Sequence, residues 1–446
     1  YCHIFNTHFI IAALTHRSHF LIIVLKQLES HRIIYRVFCL FLLLLFLLGV
    51  SACSLFEDNG EKPEEKNKYF LSSENLAAST IQIIKPVFQA LEKQYDELSG
   101  ISDKMKYGVW VNKIIYKTTY KGKEVLASGV VCFPMTASGS FPMLSFQNGT
   151  NTLHAKAPSE NYNDYLFQLI EAVASAGFVV VMPDYLGFGS SSTMYHPYLH
   201  KESTVGSVTD LFRAVREMVE ESYSFTLTKE TYLMGYSQGG WATMALKKHI
   251  EQNLSSEFEL KATSCGAGPY NLAEVAGVIL SAKTYEMPYF LAYIMNSYIQ
   301  SGEITLTYAD IFNPPYSGND YISNLFNGKN DPDYINSKLS TNISTLFVKD
   351  FVDNVATGSK YASVRKALSD NSVEVWKTNT PMVIVYGTKD TFVTPTVSSR
   401  IYSEFLAAGT DPGLISLVTI EGMGHQEAVI PWGVTTINFF FQKRGN

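Results

Sequence analysis

Gly235-Tyr236-Ser237-Gln238-Gly239-Gly240 is the stretch on which the reading of this chain turns. A strand-like run, Thr231-Tyr232-Leu233-Met234, leads into it, and a helix-like run from Trp241 to His249 leaves it. Strand, Gly-x-Ser-x-Gly and helix together make the setting of a nucleophile elbow. Such a turn is sharp and forces its central residue into a strained backbone. Glycine at 235 and 239 removes side chains that would collide across it. Ser237 is then held at the start of a helix, whose free N–H groups and partial positive charge favour a developing oxyanion. The five-residue pattern alone arises by chance in roughly one chain in ten of this length. Its weight depends on partners elsewhere.

Composition narrows the class. The chain has 446 residues, 46% hydrophobic and 13% aromatic, enough for a large core, and a net charge of −6. Residues 1–52 carry Arg17, Lys26, Arg32 and Arg36 against Glu29, so the remainder is more acidic than the whole. An acidic body without a basic block argues against nucleic-acid binding. The five cysteines (Cys2, Cys39, Cys53, Cys132, Cys265) form no disulfide framework and no Cys-x-x-Cys metal site. Cys132 and Cys265 fall in apolar strand-like runs and read as buried thiols, with a disulfide between them as the lesser reading.

The N-terminal region reads as an export signal. Arg32 and Arg36 precede an apolar run from Val37 to Val50. It is short for a membrane span, which needs about 20 residues, and fits a signal-peptide core. The run ends in Val50-Ser51-Ala52-Cys53. This resembles the lipobox of bacterial lipoproteins, and the resemblance implies lipid modification of Cys53 and anchoring to the cell envelope. An ordinary signal peptide with an incidental Cys53 is the alternative. Residues 1–30 fit no signal peptide and the first methionine is Met105. The expectation is a chain printed from upstream of its translation start, or one begun at a non-Met codon. Residues 54–68 are polar and charged and read as a tether.

From Glu74 to Leu98 apolar residues recur at helical spacing, with Pro86 inside. Strands are expected at 109–116 and 125–133, joined through Lys121-Gly122-Lys123, and at 141–146. A helix is expected at 163–176 and a buried strand at Phe178-Val179-Val180-Val181-Met182. Pro183-Asp184-Tyr185-Leu186-Gly187-Phe188-Gly189 follows, where Asp184 reads as structural and His196 and His200 as ordinary loop residues. A helix over 203–221, capped by Ser203 or Thr204, precedes the elbow, and a strand at 258–265 follows the elbow helix. Alternating β and α imply a parallel sheet wrapped by helices. The alternation stops from about 270 to 380 and resumes with Pro381-Met382-Val383-Ile384-Val385-Tyr386. Asp390 lies just past that strand. His425 follows the last strand, 414–420, in Glu421-Gly422-Met423-Gly424-His425.

The order Ser237, Asp390, His425 is that of the α/β-hydrolases. With the Ala127-Ser128-Gly129 strand, the Pro183-Asp184-Tyr185 loop, the Gly-Tyr-Ser-Gln-Gly-Gly elbow and the long insertion before Asp390, residues 75–443 resemble the secretory lipase family. The resemblance implies an α/β-hydrolase fold and ester or lipid hydrolysis without metal or other cofactor, through a Ser237–His425–Asp390 triad and an acyl-enzyme. It places oxyanion donors at the backbone N–H of Gln238 and, in the loop after the 141–146 strand, of Thr150. Asn148 departs from the His-Gly common there. The parts are then a signal and upstream segment (1–52), a tether (53–72), core (73–269), a mainly helical cap (270–378) and core again (379–446). The cap's Tyr, Phe and Met cluster at 285–299 is expected to line an acyl pocket through Tyr289, Phe290 and Tyr293. The expected partners are a small-molecule or lipid ester and, through Cys53, the membrane. An exopeptidase of the same fold and a catalytically inactive surface-binding lipoprotein remain open as alternatives.

Overall fold

The computed structural model describes residues 67–318 and 320–444. The apolar run at 37–50, Cys53 and nearly all of the tether lie outside the described residues. Nine strands form one sheet: β1 (Phe70–Ser79), β2 (Val109–Tyr120), β3 (Lys123–Pro134), β4 (Ser140–Gln147), β5 (Val179–Pro183), β6 (Thr226–Tyr236), β7 (Glu259–Gly266), β8 (Met382–Gly387) and β9 (Ile415–Ile420). Their spatial order is β1-β2-β3-β5-β4-β6-β7-β8-β9. The first three pairings are antiparallel and the rest parallel. Lys121 and Gly122, both at positive φ, make the two-residue β2–β3 turn. This backbone matches the twist of the strands it joins.

The central strands bury both faces. Val179 and Val181 of β5 belong to one core cluster, and Val180 and Met182 to the other. Helices α1 (Ile81–Gln94) and α2 (Tyr165–Ala172) cover the second face; α3 (Lys201–Ser222) and α4 (Gln238–Asn253) cover the first. Between β7 and β8 come α5 (Leu272–Ser281), α6 (Tyr289–Ser301), several short helical segments and α7 (Ala362–Asn371). Among the described residues this segment has isolated bridges and no ladder strand. Its two ends meet: Val373 N–H donates to Tyr270 O at 2.8 Å and Leu272 N–H to Ser372 Oγ at 2.9 Å. Helix α8 (Pro395–Ala407) and the final helix α9 (Val429–Arg444) complete the chain. No helix among the described residues is long and apolar enough to cross a membrane.

Two local expectations are corrected, and the reading of Cys132 and Cys265 as buried thiols holds. The helical spacing read from Glu74 begins in a strand: β1 runs along the edge of the sheet to Ser79, and the helix starts only at Ile81, continuing through Pro86. An edge strand with most residues exposed lacks the alternation that identifies buried strands. Its ladder to β2 and three N–H donors, from Lys68, Tyr69 and Phe70, onto the Glu217 carboxylate hold it in place. The sheet therefore starts at Phe70, one strand before the one expected at 109–116. Helix α3 is capped by neither Ser203 nor Thr204 but by His200, whose Nδ1 accepts the Ser203 N–H. Cys132 and Cys265 are buried and free, so no disulfide joins them.

Candidate active site

Register brings the functional loops to one edge of the sheet. Gln147 of β4 pairs with Gly235 of β6, which pairs with Cys265 of β7; Gly266 pairs with Val385 of β8. The residues after these strands therefore emerge side by side. Ser237 stands between β6 and α4 at φ 60°, ψ −123°, and its N–H is fixed to Gly266 O at 2.8 Å. Such a conformation is costly for a residue with a Cβ and persists only where the surroundings over-determine it. Here Gly239 does so. A Cβ on it would sit 1.9 Å from Gln147 O, so α4 crosses β4 at a distance only glycine permits.

The structure brings Ser237, His425 and Asp390 together. Ser237 Oγ lies 2.8 Å from His425 Nε2, and His425 Nδ1 lies 2.6 Å from Asp390 Oδ2. The other carboxylate oxygen of Asp390 accepts the N–H groups of Phe392 and Val393, both at 2.9 Å. Asp390 is buried and acceptor-only, so the Nδ1 of His425 carries the proton and Nε2 is left to accept from the serine. The histidine loop is held from two directions. Tyr236 Oη donates to His425 O at 2.7 Å, and Lys389 N–H to Met423 O at 2.9 Å. The acid-bearing and histidine-bearing turns meet backbone to backbone at Gly387, where a Cβ would fall 2.4 Å from Met423 O.

The loop after β4 runs beside the serine. A Cβ on Gly149 would lie 3.8 Å from Ser237 Cβ. Thr150 Oγ1 is 2.8 Å from Tyr198 Oη, and Tyr185 Oη donates to Asn148 O at 3.2 Å. Gln238 is buried at the first position of α4, where a backbone N–H has no intrahelical partner. Its side-chain Nε2 meets His196 Nε2 at 3.2 Å, while His196 Nδ1 lies 2.6 Å from Leu186 O. Burial lowers the His196 pKa to about 4, so the ring is neutral, with Nδ1–H donating and Nε2 accepting. The sequence reading left His196 as an ordinary loop residue; its signal, a histidine near the Pro-Asp-Tyr turn, gains meaning only once the fold sets it against α4. Asp184 makes its bonds to Ser128 Oγ and to Ser159 N–H and Oγ, at 2.6–2.8 Å. Burial raises its pKa, and these donors oppose the shift.

A cleft of about 380 Å³ opens over Ser237 and His425. Met287, Tyr289 and Phe290 line it from the cap side, as does Phe392, whose ring is 5.2 Å from that of His425. Tyr293 is not among its walls, which corrects one expectation. That ring is stacked between Tyr198, at 4.3 Å, and Phe326, at 4.2 Å, and borders a separate cavity of about 200 Å³. Tyr293 lies one helical turn beyond Tyr289 on α6, about 6 Å further along the axis, and its ring is taken up by the stack instead of the cleft. The rest of the aromatic stretch, Leu291, Ile294, Met295 and Tyr298, is buried core. Among the described residues no cluster of His, Cys, Asp and Glu suits a metal ion.

A mostly parallel sheet, a serine on a strained strand–helix turn, and a histidine and an aspartate on the loops of the last strands define a serine hydrolase of the α/β fold. Residues 159–426 match the profile of the serine aminopeptidase S33 hydrolases, and the chain belongs to that family. A putative hydrolase of Legionella pneumophila superposes with TM-score 0.73 at 23% identity, over 84% of this chain and 98% of that one. The esterase LipA of Xanthomonas oryzae, described as degrading rice cell walls, gives 0.71 at 25% identity, over 86% and 100%. Candida antarctica lipase A in its closed state gives 0.58 at 15%, over 85% and 82%, and so shares the fold. No curated protein sequence matches the chain.

Proposed function

We propose that the protein is a carboxylic-ester hydrolase working through an acyl-enzyme. The observation that carries this is the unbroken path from Ser237 Oγ through His425 to buried Asp390, with spans of 2.8 and 2.6 Å. Ser237 attacks the ester carbonyl while His425 takes its proton. His425 then protonates the departing alcohol, and Asp390 holds the ring and stabilises the imidazolium. The oxyanion is received by the backbone N–H groups of Gln238 and Thr150. Each such donor is worth roughly 3 kcal/mol of transition-state stabilisation. Water, activated by the same histidine, releases the acid. Tyr289 and Phe290 give the cleft an apolar wall that favours short to medium acyl chains over acetate. The likeness to the Xanthomonas esterase supports the reading.

A second reading, an aminopeptidase, is favoured by the family and by Asp333, an exposed carboxylate lining the cleft where a substrate ammonium would find a partner. The experiment treats purified protein and its Ser237→Ala variant with a fluorophosphonate probe, p-nitrophenyl esters from C2 to C8 and aminoacyl p-nitroanilides. The expected result is labelling and ester hydrolysis that both vanish in the variant, with nitroanilides cleaved poorly. Ester activity above a tenth of wild type in the variant overturns the assignment of Ser237. Preference for the nitroanilides selects the peptidase. An unlabelled, inactive wild type selects a binding role.

A further inference from the structure

The two backbone N–H groups assigned to the oxyanion lie on different elements. Gln238 opens α4, which is held hard against β4 through Gly239. Thr150 lies in the loop after β4 and borders the cleft. Its N–H has no hydrogen-bond partner among the described residues. That loop is held by tyrosine hydroxyls. Tyr185 Oη donates to Asn148 O at 3.2 Å and Tyr293 Oη to Asn151 O at 3.4 Å, and Tyr198 Oη lies 2.8 Å from Thr150 Oγ1. Of the three, the bond to Tyr198 is the one that reaches Thr150 itself.

Tyr198 stands two residues from His196, whose Nε2 meets the side-chain Nε2 of Gln238 at 3.2 Å. Among the described residues this is the sole hydrogen bond of that buried amide, since Gln238 Oε1 has no partner. One short turn is thus bonded to both donor-bearing residues. The turn is stiff. Pro197 fixes φ at its centre, and Tyr198 N–H closes on His196 O at 2.8 Å. Gly187 packs on its backbone, where a Cβ would fall 2.4 Å from His196 Cα. His196 Nδ1–H donates to Leu186 O at 2.6 Å, which leaves Nε2 as the acceptor for Gln238. The Tyr198 ring lies 4.3 Å from that of Tyr293 on α6, 12° from parallel. Leu199, at φ 51°, ends the turn, and its carbonyl accepts from Tyr298 Oη at 2.9 Å.

Resting on the hydrolase reading above, we infer that His196 and Tyr198 are positioning residues of the oxyanion hole: a single turn grips Gln238 and Thr150 by their side chains and so sets the spacing of the two N–H donors. Neither His196 nor Tyr198 lines the cleft, so both act through the residues they hold. The sheet already fixes α4; the loop of Thr150 is the part that needs a brace, and Tyr198 supplies it. A hydrogen bond weakens steeply as its angle departs from linear, and the anion of the tetrahedral intermediate depends on both donors more than the ground-state carbonyl does. Loosening the turn should therefore lower kcat and spare KM.

Three near-isosteric changes test this. Tyr198→Phe removes the hydroxyl and keeps the ring stack. Thr150→Val removes its partner and keeps the backbone N–H. Gln238→Met cuts the bond to His196 and also keeps the backbone N–H. Each is expected to lower kcat for p-nitrophenyl butyrate about tenfold, a fraction of the loss when a whole donor is removed, with KM within twofold. Tyr198→Phe combined with Thr150→Val should be no slower than either alone, because both cut one bond. A pair of ketones separates positioning from packing. A propyl trifluoromethyl ketone adds to Ser237 Oγ, the serine proton passes to His425, and the carbonyl oxygen becomes an anion in the hole. The matching methyl ketone binds without that addition. In each variant the trifluoromethyl ketone should weaken by the factor lost from kcat, while the methyl ketone stays within twofold and the pH at which kcat/KM rises stays in place. Trifluoromethyl ketone affinity within twofold of wild type in Tyr198→Phe and Gln238→Met overturns the inference. So does a loss shared equally by the methyl ketone, or a double variant whose loss is the product of the two singles. In those three outcomes wild type still hydrolyses butyrate and the hydrolase reading stands. A wild type that neither hydrolyses butyrate nor prefers the trifluoromethyl ketone removes that reading and the inference with it.

Discussion

The two sides of the Ser237 cleft are held by different kinds of contact. On the sheet side the positions are set by backbone. Ser237 N–H is bonded to Gly266 O, Gly239 lies against Gln147 O, and Gly387 lies against Met423 O. On the cap side they are set by rings. Tyr289 packs on Phe290 at 4.2 Å, Phe290 reaches Phe392 at 6.0 Å, and Tyr293 is stacked between Tyr198 and Phe326. Backbone contacts at this range tolerate no added atom, whereas stacked rings exchange for other apolar groups at modest cost. The sheet side should therefore fail all at once and the cap side by degrees.

The largest expected difference lies within the sheet side, between two buried aspartates. Asp390→Asn should lower kcat by about ten-thousand-fold, the scale seen in another triad when the wrong imidazole tautomer is favoured. Asp184→Asn should leave kcat within tenfold and lower Tm, because its bonds go to Ser128 and Ser159 rather than to His425. Kinetics and melts on both variants check this, and the reverse pattern would exchange the two roles. Next is Gly239→Ala. One methyl group against two carbonyls of the β4 exit should cost on the order of 3–5 kcal/mol or prevent folding. A melt within 2 °C of wild type would show that the elbow is looser than its geometry implies.

On the cap side the effects should be smaller and should separate along one helix. Phe290→Asn is expected to reduce the gain from C2 to C8 esters several-fold while Tm barely changes. Tyr293→Leu should do the opposite, costing about 1–3 kcal/mol of stability through lost stacking and burial and leaving the chain-length profile in place. If both variants flattened the profile alike, the distinction between wall and stack would fall.

The smallest effect concerns a misfit on the sheet side. Glu171 of α2 is buried, its Oε1 has no hydrogen-bond partner, and desolvation raises its pKa to about 8. Between the ordinary carboxyl value of about 4.3 and about 8, the unfolded chain has released a proton that the folded chain still holds. Stability therefore falls as pH rises through that window. Glu171→Gln should raise Tm by a few °C at pH 8.5 and by much less at pH 5, as scanning calorimetry at the two values would show.

This contrast also explains what the sequence disclosed. The order of Ser237, Asp390 and His425, and the strands beside them, follow from glycine placement and apolar runs, which are local signals. Edge strand β1 escaped because it has little buried face to impose a period of two. Tyr293 escaped because its partners, Tyr198 and Phe326, lie far away along the chain, and no local spacing predicts a stack. His196 acquires its contact with Gln238 only through the packing of a loop on α4. Leu166 and Trp432, which both line the cleft, belong to helices more than 250 residues apart. That wall of the cleft was therefore invisible until the fold brought them together.

The hydrogen bond from Val373 to Tyr270 has a consequence for the history of such a molecule. About 100 residues are spliced between two points that touch. To the sheet, the whole excursion is a parenthesis whose brackets are already closed. Lengthening or shortening it costs little, since each doubling of a loop adds only about 0.6 kcal/mol of closure entropy. What the parenthesis contains can be rewritten for a new substrate while Asp390 returns to the same place. One wall of the cleft, at Met287, Tyr289 and Phe290, is in this way carried on a different length of chain from the triad, free to change at a different rate.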